Sequence, residues 1–250
     1  MIRPTLRSLS KKPLGRRYLS VSQPVLRPPP PPQQPDSPRQ SDSDTTHFGY
    51  QNVPSSSKES LVGSVFSSVS SSYDVMNDAM SLGIHRLWKN HFVSTVLDPR
   101  GGISVLDVAG GTGDIGMRVL DHARTKYADR STDVTLCDIN ADMLREGMLR
   151  FKKESMYWDT RQLSFSLGNA EKLGESMEVP AASKAKYRAL PELQSRRIGD
   201  ESVDLYTIAF GIRNCTHIDR VLQEAHRVLK PGGVFACLEF GKVANPWFAE

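Results

Sequence analysis

Residues 106–116 read LDVAGGTGDIG, and the fold turns on how this stretch is flanked. Upstream, residues 103–109 form an apolar run of strand length, ISVLDVA. Downstream, residues 114–126 space their apolar side chains at helical intervals. Strand, glycine turn and helix in immediate succession is the setting in which Gly-x-Gly-x-x-Gly, here Gly111, Gly113 and Gly116, lets a ligand approach the backbone at the positive end of a helix. Alone, the motif suits a nicotinamide or a flavin equally well.

The alternation continues downstream. Residues 134–137, 163–167, 203–210 and 234–238 read as strands, and residues 141–152 as a helix with Asn140 as its N-cap. Thr216 and Asp219 resemble a capping box that opens a helix with Val221, Leu222, Ala225, Val228 and Leu229 on one face, stopped by Pro231, Gly232 and Gly233. Strands alternating with helices predict an α/β, Rossmann-like doubly wound sheet, mostly parallel and covered on both faces. Two helices are expected before it, within 61–97. One carries Val62, Val65, Phe66, Val69, Tyr73 and Met76, the other His85, Trp88, Phe92 and Val96. A polar stretch at 174–199, with Pro180 and Pro191, has no clear period and reads as an insertion or a mobile lid. The folded domain is expected to occupy residues 47–250.

Residues 1–46 have a different composition. The first 35 carry seven Lys or Arg side chains (Arg3, Arg7, Lys11, Lys12, Arg16, Arg17 and Arg27) with serines, and a proline run follows. That composition predicts a mitochondrial targeting segment and a disordered spacer. The net charge of +4 includes no basic block in the core, so nucleic acid is not implied. Cys137, Cys215 and Cys237 lack metal-ligand spacing and are expected to be buried thiols in a reducing compartment. No His, Asp or Glu cluster suggests a metal. No run of 18 apolar residues suggests a membrane span, although a peripheral membrane contact stays open.

Chemistry is expected at the carboxyl ends of the strands. Asp107 lies four residues before Gly111. A carboxylate there would repel a pyrophosphate but attract an amino acid's ammonium. Asp138 ends the second strand, where it could accept from ribose hydroxyls, a role shared with dinucleotide folds. Asn169 and Ala170 end the third strand, where an adenine would lie. Together these residues point to S-adenosyl-L-methionine (S-adenosylmethionine). The competing reading is that both acids merely cap loops and Asn169 forms an Asx-turn. After the fourth strand, Arg213, Asn214 and His217 share the same rim and are candidates for substrate handling. Otherwise Arg213 pairs with a surface acid and His217 sits in the first turn of the next helix.

Four blocks carry a resemblance: YDVMNDAMSLGIHRLW at 73–88, LDVAGGTGD at 106–114, FGIRNCTHID at 210–219 and HRVLKPGGVFACLEF at 226–240. They resemble the ubiquinone/menaquinone-biosynthesis C-methyltransferase family over roughly residues 61–250, apart from 174–199. The resemblance implies a class I methyltransferase fold and C-methylation of a polyprenyl methoxy-benzoquinol ring on the path to ubiquinone. It implies that Thr112, Asp138, Asn169 and Ala170 contact S-adenosylmethionine, beside Asp107, Gly111 and Gly113. Arg213 and Asn214 fall in the family's active-site segment, and Tyr73, Asp74, Asn77 and His85 in its N-terminal signature. It also implies a peripheral position on the matrix side of the mitochondrial inner membrane, within a multiprotein ubiquinone-biosynthesis complex. An arginine stays protonated in the working range, so Arg213 would stabilise a phenolate or orient a water rather than act as base.

The chain departs from the family pattern at Ala209, where bacterial relatives have Ser, and at Gly241, where Ser usually follows LEF. Family members continue past Glu250 through further helices and an antiparallel strand pair, so the chain is expected to be truncated. Other readings are a methyltransferase for another quinol or small aromatic, a catalytically impaired scaffold in the complex, and a nicotinamide-dependent oxidoreductase.

Overall fold

The computed structural model describes residues 45–48, 51–70, 78–79 and 81–240. Residues 1–44 of the leader, Tyr73, Asp74 and Asn77 lie outside the described residues. Strands β1 (Thr45–Phe48) and β2 (Gln51–Pro54) form an antiparallel pair. Helix α1 (Ser55–Val69) follows at once, so helix formation starts six residues before Leu61, directly after Pro54. Helix α2 (Ile84–His91) leads without a break into a π-helical stretch, Phe92–Leu97.

The core is then β3 (Ser104–Val108), α3 (Asp114–Tyr127), β4 (Asp133–Asp138), α4 (Ala141–Glu154), β5 (Leu163–Leu167), α5 (Ala181–Lys186), β6 (Val203–Ala209), a 3-10 turn at Ile212–Asn214, α6 (Ile218–Val228) and β7 (Leu229–Leu238). The five core strands are all parallel, in the order β5-β4-β3-β6-β7. Strand periodicity sorts their side chains. Val105, Val134, Leu136 and Leu205 pack with Val119, Leu120, Leu144, Met148 and Phe151 of α3 and α4. Leu106, Val108, Tyr206 and Ile208 pack on the other face with Val221, Ala225 and Val228 of α6. This is the doubly wound α/β sheet expected from the alternation. The Asn140 side chain accepts from the backbone N–H of Asp142 and Met143, a cap worth about 1 kcal/mol.

Several local expectations are corrected. The stripe of α2 changes phase. His85, Lys89, Phe92 and Val93 are buried, while Trp88 is 43% and Val96 60% exposed. The wider π turns rotate Val96 off the face that a 3.6-residue period assigns it. Lys89 takes an inner position because its Nζ donates to Asp114 at 2.8 Å. Val65 of α1 is also exposed. His217, not Thr216, is the N-cap of α6, and no side chain caps that end. Leu229 belongs to β7, whose ladder to β6 carries a bulge between the Val203–Leu229 and Leu205–Val234 pairs. That bulge accommodates Pro231, which has no N–H to offer the ladder. Cys237 is exposed on β7, rather than buried like Cys137.

The 174–199 stretch is not a free excursion. Leu193 and Tyr187 are buried in it. Leu167 donates its N–H to the Gln194 carbonyl at 2.8 Å, and Arg196 donates its N–H to Ser166 Oγ at 2.9 Å. The segment therefore covers the outer edge of β5, which would otherwise expose unpaired backbone groups. Among the described residues no helix is long and apolar enough to cross a membrane.

Candidate active site

A cavity of about 610 Å³ opens where β3, β4, β5 and β6 end, a size typical of small-molecule sites. Backbone conformation is unusual on this rim. Ala109 after β3 and Phe210 after β6 both have positive φ, 52° and 56°, which costs about 1–3 kcal/mol per residue and recurs at ligand sites.

Asp107 lies on the α3 side of the sheet, at the cavity floor, and is 1% exposed. Thr207 of the neighbouring strand donates its hydroxyl to Asp107 Oδ1 at 2.8 Å, and Gly116 donates its N–H to Oδ2 at 3.2 Å. Burial pushes the Asp107 carboxyl up to about 7, against the lowering effect of those hydrogen bonds. Asp138, on the same face of β4, accepts the N–H of Gly111 at 2.9 Å and of Asn140 at 2.8 Å. Burial raises it to about 6. The donors to both carboxylates are neutral, so a cationic ligand would stabilise their ionised forms. The third acid, Asp114, is already served. Burial raises it, but Lys89, Arg118 and Arg150 outweigh that and hold it at about 2.

The glycine turn divides its labour. Gly111 and Thr112 line the cavity with Asp107 and Asp138. Gly113 does not. It has φ 82°, and a Cβ there would stand 2.5 Å from Phe151 and 2.8 Å from Leu136. Its role in this structure is to let α3 pack closely on β4 and α4, which a motif alone does not reveal. Asn169 and Ala170 line the cavity at the end of β5. Asn169 Oδ1 accepts the N–H of Glu171 at 2.8 Å, an Asx-turn that leaves its NH2 as the group able to donate to a ligand.

Arg213 and Asn214 also line the cavity. Arg213 Nη1 lies 3.2 Å from Glu239, and its guanidinium sits 4.7 Å from the Phe240 ring centroid. It is therefore both an ion-paired residue and a wall residue, half exposed. His217 is not a lining residue; its Nδ1 is 2.8 Å from Glu171 Oε2.

Three features escaped the sequence reading. Glu171 Oε1 accepts the N–H of Thr216 and His217, clamping the end of β5 to the loop after β6. Buried Lys58 on α1 donates to the carbonyls of Arg213 and Cys215. Asn140 Nδ2 donates to the Gly63 carbonyl, so α1 is anchored at two points on the cavity wall. An acid directly after Asn169 and Ala170 was the available signal for the first; nothing local announces the other two.

The model of the ubiE/COQ5 methyltransferase family matches residues 51–182 and 191–250. Residues 1–50 and, inside the polar stretch, 183–190 fall outside the match. A Schizosaccharomyces pombe protein named 2-methoxy-6-polyprenyl-1,4-benzoquinol methylase, mitochondrial, is 52% identical over 216 residues, covering 84% of this chain and 63% of the relative. The Danio rerio protein of the same name is 42% identical over 235 residues, with 82% and 63% covered. The Rhodopseudomonas palustris ubiquinone/menaquinone biosynthesis C-methyltransferase UbiE is 45% identical over 208 residues, with 82% and 70% covered. The chain thus spans somewhat under two thirds of the length of the two mitochondrial relatives.

Proposed function

Because the chain belongs to the ubiE/COQ5 methyltransferase family, whose class I Rossmann-like fold its sheet shares, we propose that it methylates a ring carbon of a polyprenyl methoxy-benzoquinol, using S-adenosylmethionine. The observation that carries this reading is the cavity whose lining brings two carboxylates with neutral donors, Asp107 and Asp138, together with Arg213 and Asn214. That donor set suits a ligand with positive charge and ribose hydroxyls, and is a poor host for a pyrophosphate.

When bound, S-adenosylmethionine supplies an electrophilic methyl group on a sulfonium. Asp138 would accept from its ribose hydroxyls, Gly111 and Thr112 would offer backbone, Asn169 and Ala170 would meet the adenine, and Asp107 would balance positive charge. Gly113 serves this indirectly, by seating α3. Arg213 would hold negative charge as the quinol oxygen ionises, and Asn214 would orient the ring. Holding the ring carbon and the methyl group together in a water-poor pocket supplies much of the acceleration. Ile84, Trp88 and Phe240 line the cavity and are also partly exposed, an apolar path suited to a polyprenyl tail.

Mitochondrial residence is supported by the relatives' names and by the basic leader. A peripheral position on the matrix side of the inner membrane, and a place in a multiprotein biosynthetic complex, follow if the substrate stays lipid-bound. The test is transfer of a labelled methyl group to a short-chain demethyl quinol, with calorimetry against S-adenosylmethionine and NAD. Cofactor binding without transfer to any quinol would favour the scaffold reading. Tight NAD binding in place of S-adenosylmethionine would overturn the proposal.

A further inference from the structure

Resting on the quinol-methylation reading above, we propose that Ser81, His85 and Asp78 form a proton path that takes the quinol hydroxyl's proton out of the cavity. Ser81 and His85 both line the cavity. Ser81 Oγ is 2.7 Å from His85 Nδ1, and His85 Nε2 is 3.6 Å from Asp78 Oδ1. His85 is 8% exposed, while Asp78 reaches the surface. The chain of groups therefore runs from the cavity wall through a buried imidazole to a carboxylate in contact with water.

Methylating a ring carbon needs an electron-rich ring, which a phenolate supplies and a neutral phenol does not. Arg213 can stabilise that phenolate but cannot receive its proton. His85 can. Burial first, and Lys89 next, hold its imidazole below the usual histidine range, with Asp78 acting the other way. It is thus neutral and ready to accept at neutral pH. The charged groups around it are Asp78 and Arg86, which are paired with each other, Lys89 one turn on, and Asp114 from α3, paired with Lys89.

The quinol O–H proton passes to Ser81 Oγ as the Ser81 hydroxyl proton passes to His85 Nδ1, giving a phenolate and an imidazolium beside Asp78. The ring carbon then takes the methyl group as the carbon–sulfur bond breaks, its electron pair staying on sulfur. His85 passes its proton out through Asp78 to water; the ring proton then leaves to water, its electron pair restores aromaticity, and the ring oxygen takes one proton back from water. One proton is released overall. His85 acts here through Ser81, as a positioned base.

Two readouts test this. The first needs no turnover. A methoxy-nitrophenol, whose phenolate absorbs in the visible, is titrated into the full chain at pH 7. Wild type should bind it ionised, and His85→Gln should lower the ionised-to-neutral ratio of the bound probe about tenfold, the effect of one pKa unit. The second is the pH profile of transfer to the short-chain quinol. His85→Gln should slow transfer by roughly 10²–10⁴-fold and abolish the acidic limb, and Asp78→Asn should move that limb to lower pH. If His85→Gln fails to fold, Ser81→Ala must still lower probe ionisation. An unchanged ionised fraction in these variants, or an acidic limb retained in His85→Gln, overturns the relay. Probe ionisation that depends on His85, with no transfer to any quinol in wild type, would keep the relay and remove the substrate reading.

Discussion

Replacing Gly113 with Ala separates what the glycine turn does for packing from what it does for a ligand. The residue has φ 82°, and an alanine held there pays about 1–2 kcal/mol for the left-handed conformation. The new Cβ would stand 2.5 Å from Phe151 Cε2 and 2.8 Å from Leu136 Cδ1. Both side chains are fully buried, so neither can swing away, and overpacking of this kind costs about 1–3 kcal/mol. The sum is about 2–5 kcal/mol, against a typical total stability of about 5–15 kcal/mol. With a urea slope of about 1–3 kcal/mol/M, the midpoint should fall by about 1–2 M at unchanged slope. Gly111→Ala offers the contrast. Gly111 also has positive φ, 51°, but its Cβ would meet only the Met143 tip at 3.0 Å and Asp138 Oδ2 at 3.8 Å, on the cavity wall, so the substitution should weaken cofactor binding more than it weakens the fold. Urea unfolding followed by circular dichroism reads the first effect and calorimetry the second. A Gly113→Ala midpoint within about 0.2 M of wild type, or a larger loss in Gly111→Ala, would refute the division of roles.

Asp138→Asn should weaken S-adenosylmethionine binding by about 1–3 kcal/mol, since a buried hydrogen-bonding site is left mismatched. In wild type the affinity should fall as pH drops through about 7 and then about 6, where Asp107 and Asp138 protonate; equal affinity at pH 5 and pH 8 would contradict that reading. Asp98 accepts from Lys126, Tyr127 and His122, which hold it well below the usual carboxylate range, hydrogen bonding from Lys126 being the largest cause. A depressed pKa adds stability above the unfolded value and loses it as pH falls, so wild type should lose urea resistance below about pH 4. Asp98→Asn should lose part of that acid dependence, and identical pH curves would count against the cluster. Limited trypsin digestion should cut at Lys184, Lys186 or Arg188 before Arg196, whose backbone is bound to Ser166; first cleavage at Arg196 would show the β5 edge uncovered.

The sheet was legible because strand and helix periods differ and because glycine, proline and Asn140 mark element ends. The rim residues Asp107, Asp138 and Asn169 were legible for the same reason, since a strand's carboxyl end can be read from its last apolar residue. What the sequence concealed depends on partners far along the chain. Lys58 is bonded to carbonyls 155 and 157 residues away, and Glu171 to amides 45 and 46 residues away. The inner position of Lys89 needs Asp114, and a hydropathy pattern assigns lysine to solvent. Gly113 read as a ligand residue because the motif fixes spacing and conformation, whereas Phe151 and Leu136 decide what fills the space.

The bond between Thr207 and Asp107 joins residues 100 positions apart, and this has a consequence for how the protein is made. Strand β3 is completed on one side only when β6 pairs with it. Until that pairing forms, Asp107 would lie on an open edge of β3, free to stay charged in water. The later pairing both completes the cavity floor and desolvates the carboxylate, so the site is assembled and electrostatically tuned in one late, non-local step. Folding measured by Tyr206 burial and by ligand binding should then share a single slow rate.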